Sequence, residues 1–121
     1  MSEIITIDWD WTPIHAAKAR VLRLLKEHDL AWWVREIMNV RYRRSAGGLG
    51  THVVLNLRGN PNGKQKMYIR AAMGDDMRRW CWNIDLLDSK LTPVDYGSGI
   101  VFDVKEGREA GPWVRMQVTK A

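Results

Sequence analysis

Apolar and polar positions alternate or recur in distinct segments, and their periods divide the chain into strands and helices. Ile5, Ile7 and Trp9 alternate with Thr6, Asp8 and Asp10, so residues 3–10 read as a strand. Alternate strand positions share a face, which places both carboxylates opposite the apolar side chains. Ile14, Ala17, Val21, Leu24 and Leu25 then recur at helical spacing, with Lys18, Arg20, Arg23 and Lys26 on the solvent side. Thr12 reads as the N-cap of this helix and Pro13 as its first turn, and the helix ends near His28-Asp29.

Ala31 to Arg43 reads as a second strand. Trp32, Val34, Met38, Val40 and Tyr42 share one face, while Trp33, Arg35, Ile37, Asn39, Arg41 and Arg43 form a basic opposite face. Glu36 interrupts the apolar face and marks a bulge or an exposed edge. A glycine-rich turn, Ser45-Ala46-Gly47-Gly48-Leu49-Gly50, leads into a third strand, Thr51 to Leu57. There Val53, Leu55 and Leu57 point to the core, and His52, Asn56 and Arg58 point away. Gly59-Asn60-Pro61-Asn62-Gly63 breaks the pattern, a helix follows over Lys64 to Met73, and Gly74-Asp75-Asp76 stops it. A fourth strand is expected over Arg79 to Leu87, with Trp80, Trp82, Ile84 and Leu86 opposite Cys81, Asn83 and Asp85. The chain closes with an expected hairpin, about Gly99–Lys105 and Trp113–Thr119, joined across residues 106–111.

The order β-α-β-β-α-β plus a hairpin predicts an α+β domain on the ferredoxin-like, or RNA-recognition-motif-like, plan: an antiparallel sheet with two helices on one face. The 121 residues form one domain, with a core over about 3–90 and the hairpin over about 97–120. Seven Trp residues fall mostly in strand-like runs, so core packing is their expected role. The net charge of +5 tilts the choice of partner toward polyanions. The single cysteine, Cys81, excludes an intramolecular disulfide and a cysteine-based zinc site, and it fits a reducing interior. There is no apolar signal region and no run of membrane-spanning length, so a soluble cytoplasmic protein without a membrane partner is expected.

On the expected plan, strands one and three lie side by side and antiparallel, and strand four flanks strand one. Asp8, Asp10, His52 and Asp85 then share the uncovered face, with Asp10 near His52. Three carboxylates can hold two divalent cations, which clamp a triphosphate and activate a hydroxyl. A histidine and free amides in Gly47-Gly48-Leu49-Gly50 suit phosphate, and Arg41, Arg43, Arg44 and Arg58 add positive charge.

Asp8-x-Asp10 after an apolar strand, Ser45-x-Gly47-Gly48-x-Gly50-x-His52 entering a strand, and Ile84-Asp85 in a later strand together resemble the three motifs of archaeo-eukaryotic primases, the superfamily that includes primase-polymerases of plasmids and viruses. The resemblance covers roughly residues 3 to 90. It implies a minimal, partner-dependent nucleotidyltransferase with Asp8, Asp10 and Asp85 as catalytic ligands of Mg2+ or Mn2+. His52, with Ser45, Gly48, Gly50 and Arg58, would contact the nucleotide. Arg35, Arg41, Arg43 and Arg44 would contact nucleic acid. The implied partners are nucleic acid, nucleoside triphosphates and a replication helicase or other replication protein.

Two other readings use the same residues. A non-catalytic nucleic-acid-binding module would stack bases on tryptophans beside the basic strand. A viral or plasmid accessory protein would keep the fold and use the terminal hairpin as an interface. Gly74-Asp75-Asp76 is similar to the Gly-Asp-Asp of viral RNA polymerases. That motif belongs in a hairpin, and here it follows a helix, so it reads as a stop.

Overall fold

The computed structural model describes residues 2–75, 104–105 and 108–116. They form an α+β fold in the chain order β1 (Ser2–Trp9), α1 (Ile14–Glu27), α2 (Trp32–Arg35), β2 (Ile37–Arg44), β3 (Thr51–Arg58), α3 (Gly63–Ala72), β4 (Val104–Lys105), β5 (Arg108–Glu109) and β6 (Val114–Met116). Four strands build one antiparallel sheet in the order β1-β3-β2-β6, and β4 pairs with β5 separately. The predicted fourth strand, with Cys81 and Asp85, lies outside the described residues.

Strand alternation explains the packing. Ile5, Ile7 and Trp9 of β1 and Val53, Leu55 and Leu57 of β3 are buried on one face. Against them pack Ala17, Val21, Leu24 and Leu25 of α1, Trp33 of α2, and Ile69 and Met73 at the end of α3. Burial of this apolar layer is the main stabilising term, at about 25 cal/mol per Å². The helices are stopped and started by local chemistry. Asn62 caps α3 in a reciprocal capping box with Gln65, whose amide lies 2.9 Å from the Asn62 side chain. Gly74, at φ +74°, follows its last turn. Helix α1 starts one residue later than the sequence suggests. Pro13 holds its N-cap position without a side-chain bond, and Thr12 instead accepts from Arg20 through Oγ1 and from Thr51 Oγ1 through its carbonyl oxygen, the latter at 2.8 Å.

The second predicted strand is shorter than its apolar run. Trp32–Arg35 closes into a helical turn that delivers Trp33 to the core, and the strand begins at Ile37. A bulge between Ile37 and Asn39 then reverses the facing, so that Ile37 and Val40 are both buried. The C-terminal region also departs from expectation. Val114–Met116 joins the outer edge of β2, with Val40 opposite Met116 and Tyr42 opposite Val114, while 99–103 and 117–119 of the expected hairpin lie outside the described residues. The described part of 99–105, Val104–Lys105, pairs instead with Arg108–Glu109, inside the predicted loop. Met116 supplies the reason for the first change, because on β2 it is buried in the main core. Of the described tryptophans, Trp9 and Trp33 are core residues, whereas Trp11, Trp32 and Trp113 are exposed.

Candidate nucleotide and nucleic-acid site

The sheet face away from the helices is laid out in rows set by the strand register. Ile4, Asn56 and Asn39 form one row, Thr6, Val54, Arg41 and Arg115 the next, and Asp8, His52 and Arg43 the last. This last row lies where β1 ends and β3 begins, beside the glycine-rich turn. Asp8 Oδ1 stands 4.0 Å from His52 Nε2, and Arg43 Nε donates to His52 Nδ1 at 3.0 Å. An imidazole that accepts at Nδ1 carries its proton on Nε2, so the Nε2–H faces the Asp8 carboxylate.

His52 and Arg43 are buried, and Asp8 is partly exposed. The Arg43 guanidinium is covered by the Trp113 indole, 4.3 Å from the ring centroid, and Arg41 approaches the same ring at 5.7 Å. Segment 111–113 is tied down beside them, since the Gly111 amide donates to the Arg44 carbonyl at 2.9 Å. The uncovered face expected at this row is therefore roofed by tryptophan over Arg43.

The two acids are not alternate residues of one strand. The strand ends at Trp9, and Asp10 lies exposed in the following turn. Asp8, not Asp10, is the register partner of His52. The cause is the close approach of the glycine-rich turn: a Cβ on Gly50 would lie 2.1 Å from the Trp9 carbonyl oxygen and 2.9 Å from that of Asp10. This contact carries the chain away from the sheet directly after Trp9.

The turn itself is internally bonded. The Ser45 amide donates to the Gly50 carbonyl at 2.9 Å, the Gly48 amide donates to the Ser45 carbonyl at 2.9 Å, and the Gly50 amide donates to Ser45 Oγ at 3.2 Å. Gly48 takes φ +83°, which only glycine adopts without strain. Of the amides proposed for phosphate, those of Gly48 and Gly50 are thus already engaged within the turn.

Ser45, Gly48, Gly50, His52 and Asp8 gather at one end of the sheet. Arg58 does not join them: it stands six residues along β3, about 20 Å away at ordinary strand rise. Arg35 belongs to that distant end as well, because the Arg58 amide donates to the carbonyl of neighbouring Glu36 at 2.8 Å. Arg41, Arg43 and Arg44 lie on the β2 side of the gathered group. Asp85 is outside the described residues. Among the described residues no three His, Cys, Asp or Glu side chains form a cluster able to hold a metal ion. A two-ion site therefore requires a ligand beyond Asp8 and Asp10.

Sequence reasoning passed over three members of this corner. Asp75 is buried, and its Oδ1 accepts the Asp8 amide at 2.8 Å along the edge of β1 not paired with β3. The C-terminal end of α3 is anchored there too, by Trp9 Nε1 donating to the Met73 carbonyl at 2.7 Å. Arg115 lies directly opposite Arg41, two like charges in register, and Trp113 covers Arg43 of the last row. The signal for Asp75 was the Gly-Asp after α3, read only as a stop. Trp113 and Arg115 could be placed only by a pairing between residues far apart in the chain.

No known protein family, curated protein or solved structure matches this chain. Among the described residues no helix is long and apolar enough to cross a membrane.

Proposed function

We propose that the chain is a minimal primase-polymerase-type domain on the ferredoxin-like plan, handling nucleoside triphosphates and nucleic acid and carrying out nucleotidyl transfer. The observation that carries this reading is the Asp8–His52 pair, joined across β1 and β3 at the mouth of the glycine-rich turn. An acid and an imidazole in that strand context are two elements of the motif set that the sequence resembles. Asp8 and Asp10 would hold Mg2+ or Mn2+, with Asp85 completing the set. When bound, such ions neutralise triphosphate charge and acidify an attacking hydroxyl. The Nε2–H of His52 lies beside Asp8 and would donate to a phosphate oxygen as that row opens. Arg41, Arg43 and Arg44 supply the positive side of the site, and a replication protein is the expected partner.

The test is a manganese titration, followed by paramagnetic resonance, with and without a nucleoside triphosphate. Manganese binding by the wild-type chain that Asp10→Ala removes is the expected result. No metal-dependent change in the wild type would refute the catalytic form.

A second reading has its own support. His52 is buried and held by Arg43, and the exposed β2–β6 margin presents Trp113 with Arg41 and Arg115. Like charges directly opposed across strands cost stability, and a bound phosphate backbone offsets that cost. This arrangement suits a nucleic-acid-binding module without turnover. Salt-sensitive oligonucleotide binding that is unchanged by metal chelation would favour it.

A further inference from the structure

A second aromatic and cationic feature lies away from the sheet face, on α1. Trp11, Pro13, Ala16, Ala19, Arg20 and Arg23 line an open groove of about 430 Å³. Residues 16, 19, 20 and 23 are spaced three and four apart, so they form one stripe along the helix. The two alanines leave the helix surface low in the middle of that stripe. The Trp11 indole stands 83% exposed, an unusual state for the largest apolar side chain.

The two arginines differ in character. Arg20 is fixed: its guanidinium lies 4.3 Å from the Trp9 ring centroid and donates to Thr12 Oγ1. Burial, and then the neighbouring Arg23 charge, lower its pKa. Arg23 reaches solvent and has only a loose contact with Glu27, at 3.7 Å. Helix α1 carries four cations, Lys18, Arg20, Arg23 and Lys26, against the single carboxylate of Glu27. The groove thus pairs a flat exposed aromatic and a low apolar floor with a doubly cationic wall.

We propose that this groove holds one base of single-stranded nucleic acid against Trp11, with the adjoining phosphate on Arg23 and Arg20. The assignment rests on the reading of nucleic acid as the partner, and it does not require the Asp8–His52 site to be active. Charge complementarity selects the occupant. An apolar peptide would leave two guanidinium groups unanswered, whereas a nucleotide unit brings both a π-face and an anion in one repeat.

The experiment is fluorescence anisotropy of a fluorescein-labelled twelve-nucleotide oligothymidylate at several salt concentrations. Trp11→Ala should weaken binding about 5- to 150-fold, the effect of losing one base stack, and Trp11→Phe should recover most of it. Arg23→Gln should lower the slope of log affinity against log salt by about 1. Exposure of Trp11 and Arg23 makes the folds of these variants safe, and circular dichroism checks that. Removal of divalent metal by a chelator should leave oligonucleotide binding unchanged, which separates this groove from the metal site. Wild-type affinity in Trp11→Ala would overturn the assignment. So would a wild-type chain that binds no oligonucleotide, or one that binds only acidic peptides through Trp11.

Discussion

Gly50→Ala is expected to destabilise the protein strongly, and Gly47→Ala, three residues away in the same turn, is expected to leave it nearly unchanged. At Gly50 an added Cβ meets two backbone carbonyls, at 2.1 Å from Trp9 and 2.9 Å from Asp10. Backbone cannot rotate aside as a side chain can, so the end of β1 must move by about an ångström from its ordinary contact distance. Overpacking of this kind costs about 1–3 kcal/mol. The same movement strains the buried Thr51 Oγ1 bond to the Thr12 carbonyl, worth about 1 kcal/mol more. The total is about 2–4 kcal/mol. For a chain of 121 residues the unfolding entropy is about 0.25 kcal/mol/K, so Tm should fall by about 8–16 °C. At Gly47 nothing lies within 4 Å, and a Cβ there should change stability by less than about 0.5 kcal/mol. Paired thermal and urea unfolding of the two variants is the assay. Equal melting temperatures would show that β1 and the turn do not touch as described, and the Asp8–His52 register would go with them.

Arg115→Gln should act in opposite directions on two measurements: relief of the Arg41–Arg115 repulsion should raise stability by a few tenths of a kcal/mol, while oligonucleotide affinity should fall. A loss in both would mean that Arg115 has a structural role the register does not explain. Asn62→Ala removes the capping box of α3 and should cost about 1 kcal/mol in urea unfolding, with Asn62→Gly costing less if the cap geometry is right.

Elements with a clean local period were legible in the sequence. The alternation in residues 3–10 and 51–57 gave β1, β3 and the direction of their side chains, and the breaker before Lys64 gave α3. Antiparallel pairing of β1 with β3 then put a strand-one acid against His52. It was the wrong acid, because where a strand stops depends on what its last carbonyls touch, and that contact is made by Gly50. The run from Ala31 failed for a different reason. Trp32-Trp33-Val34 is apolar throughout and carries no period, so a helical turn and a strand fit it equally well. The bulge at Met38 then inverted the expected facing of Ile37. The docking of β6 on β2 was not legible at all, since a local pattern shows that a strand exists and not which edge receives it. Arg115 and Trp113 were missed for that same reason, whereas Asp75 sits in a Gly-Asp whose local reading as a helix stop hid its bond to the Asp8 amide.

The placement of β6 has a consequence for how the molecule is made. The margin of β2 that receives Val114–Met116 is completed by residues more than seventy positions downstream. During synthesis β1, β2 and β3 leave the ribosome before Val114–Met116 is made, and the slot for Met116 stays unfilled until then. Truncation before Gly111 would therefore leave a nascent-like species whose β2 margin can recruit a foreign strand, and β6 serves as the protein's own guard against assembling with its neighbours.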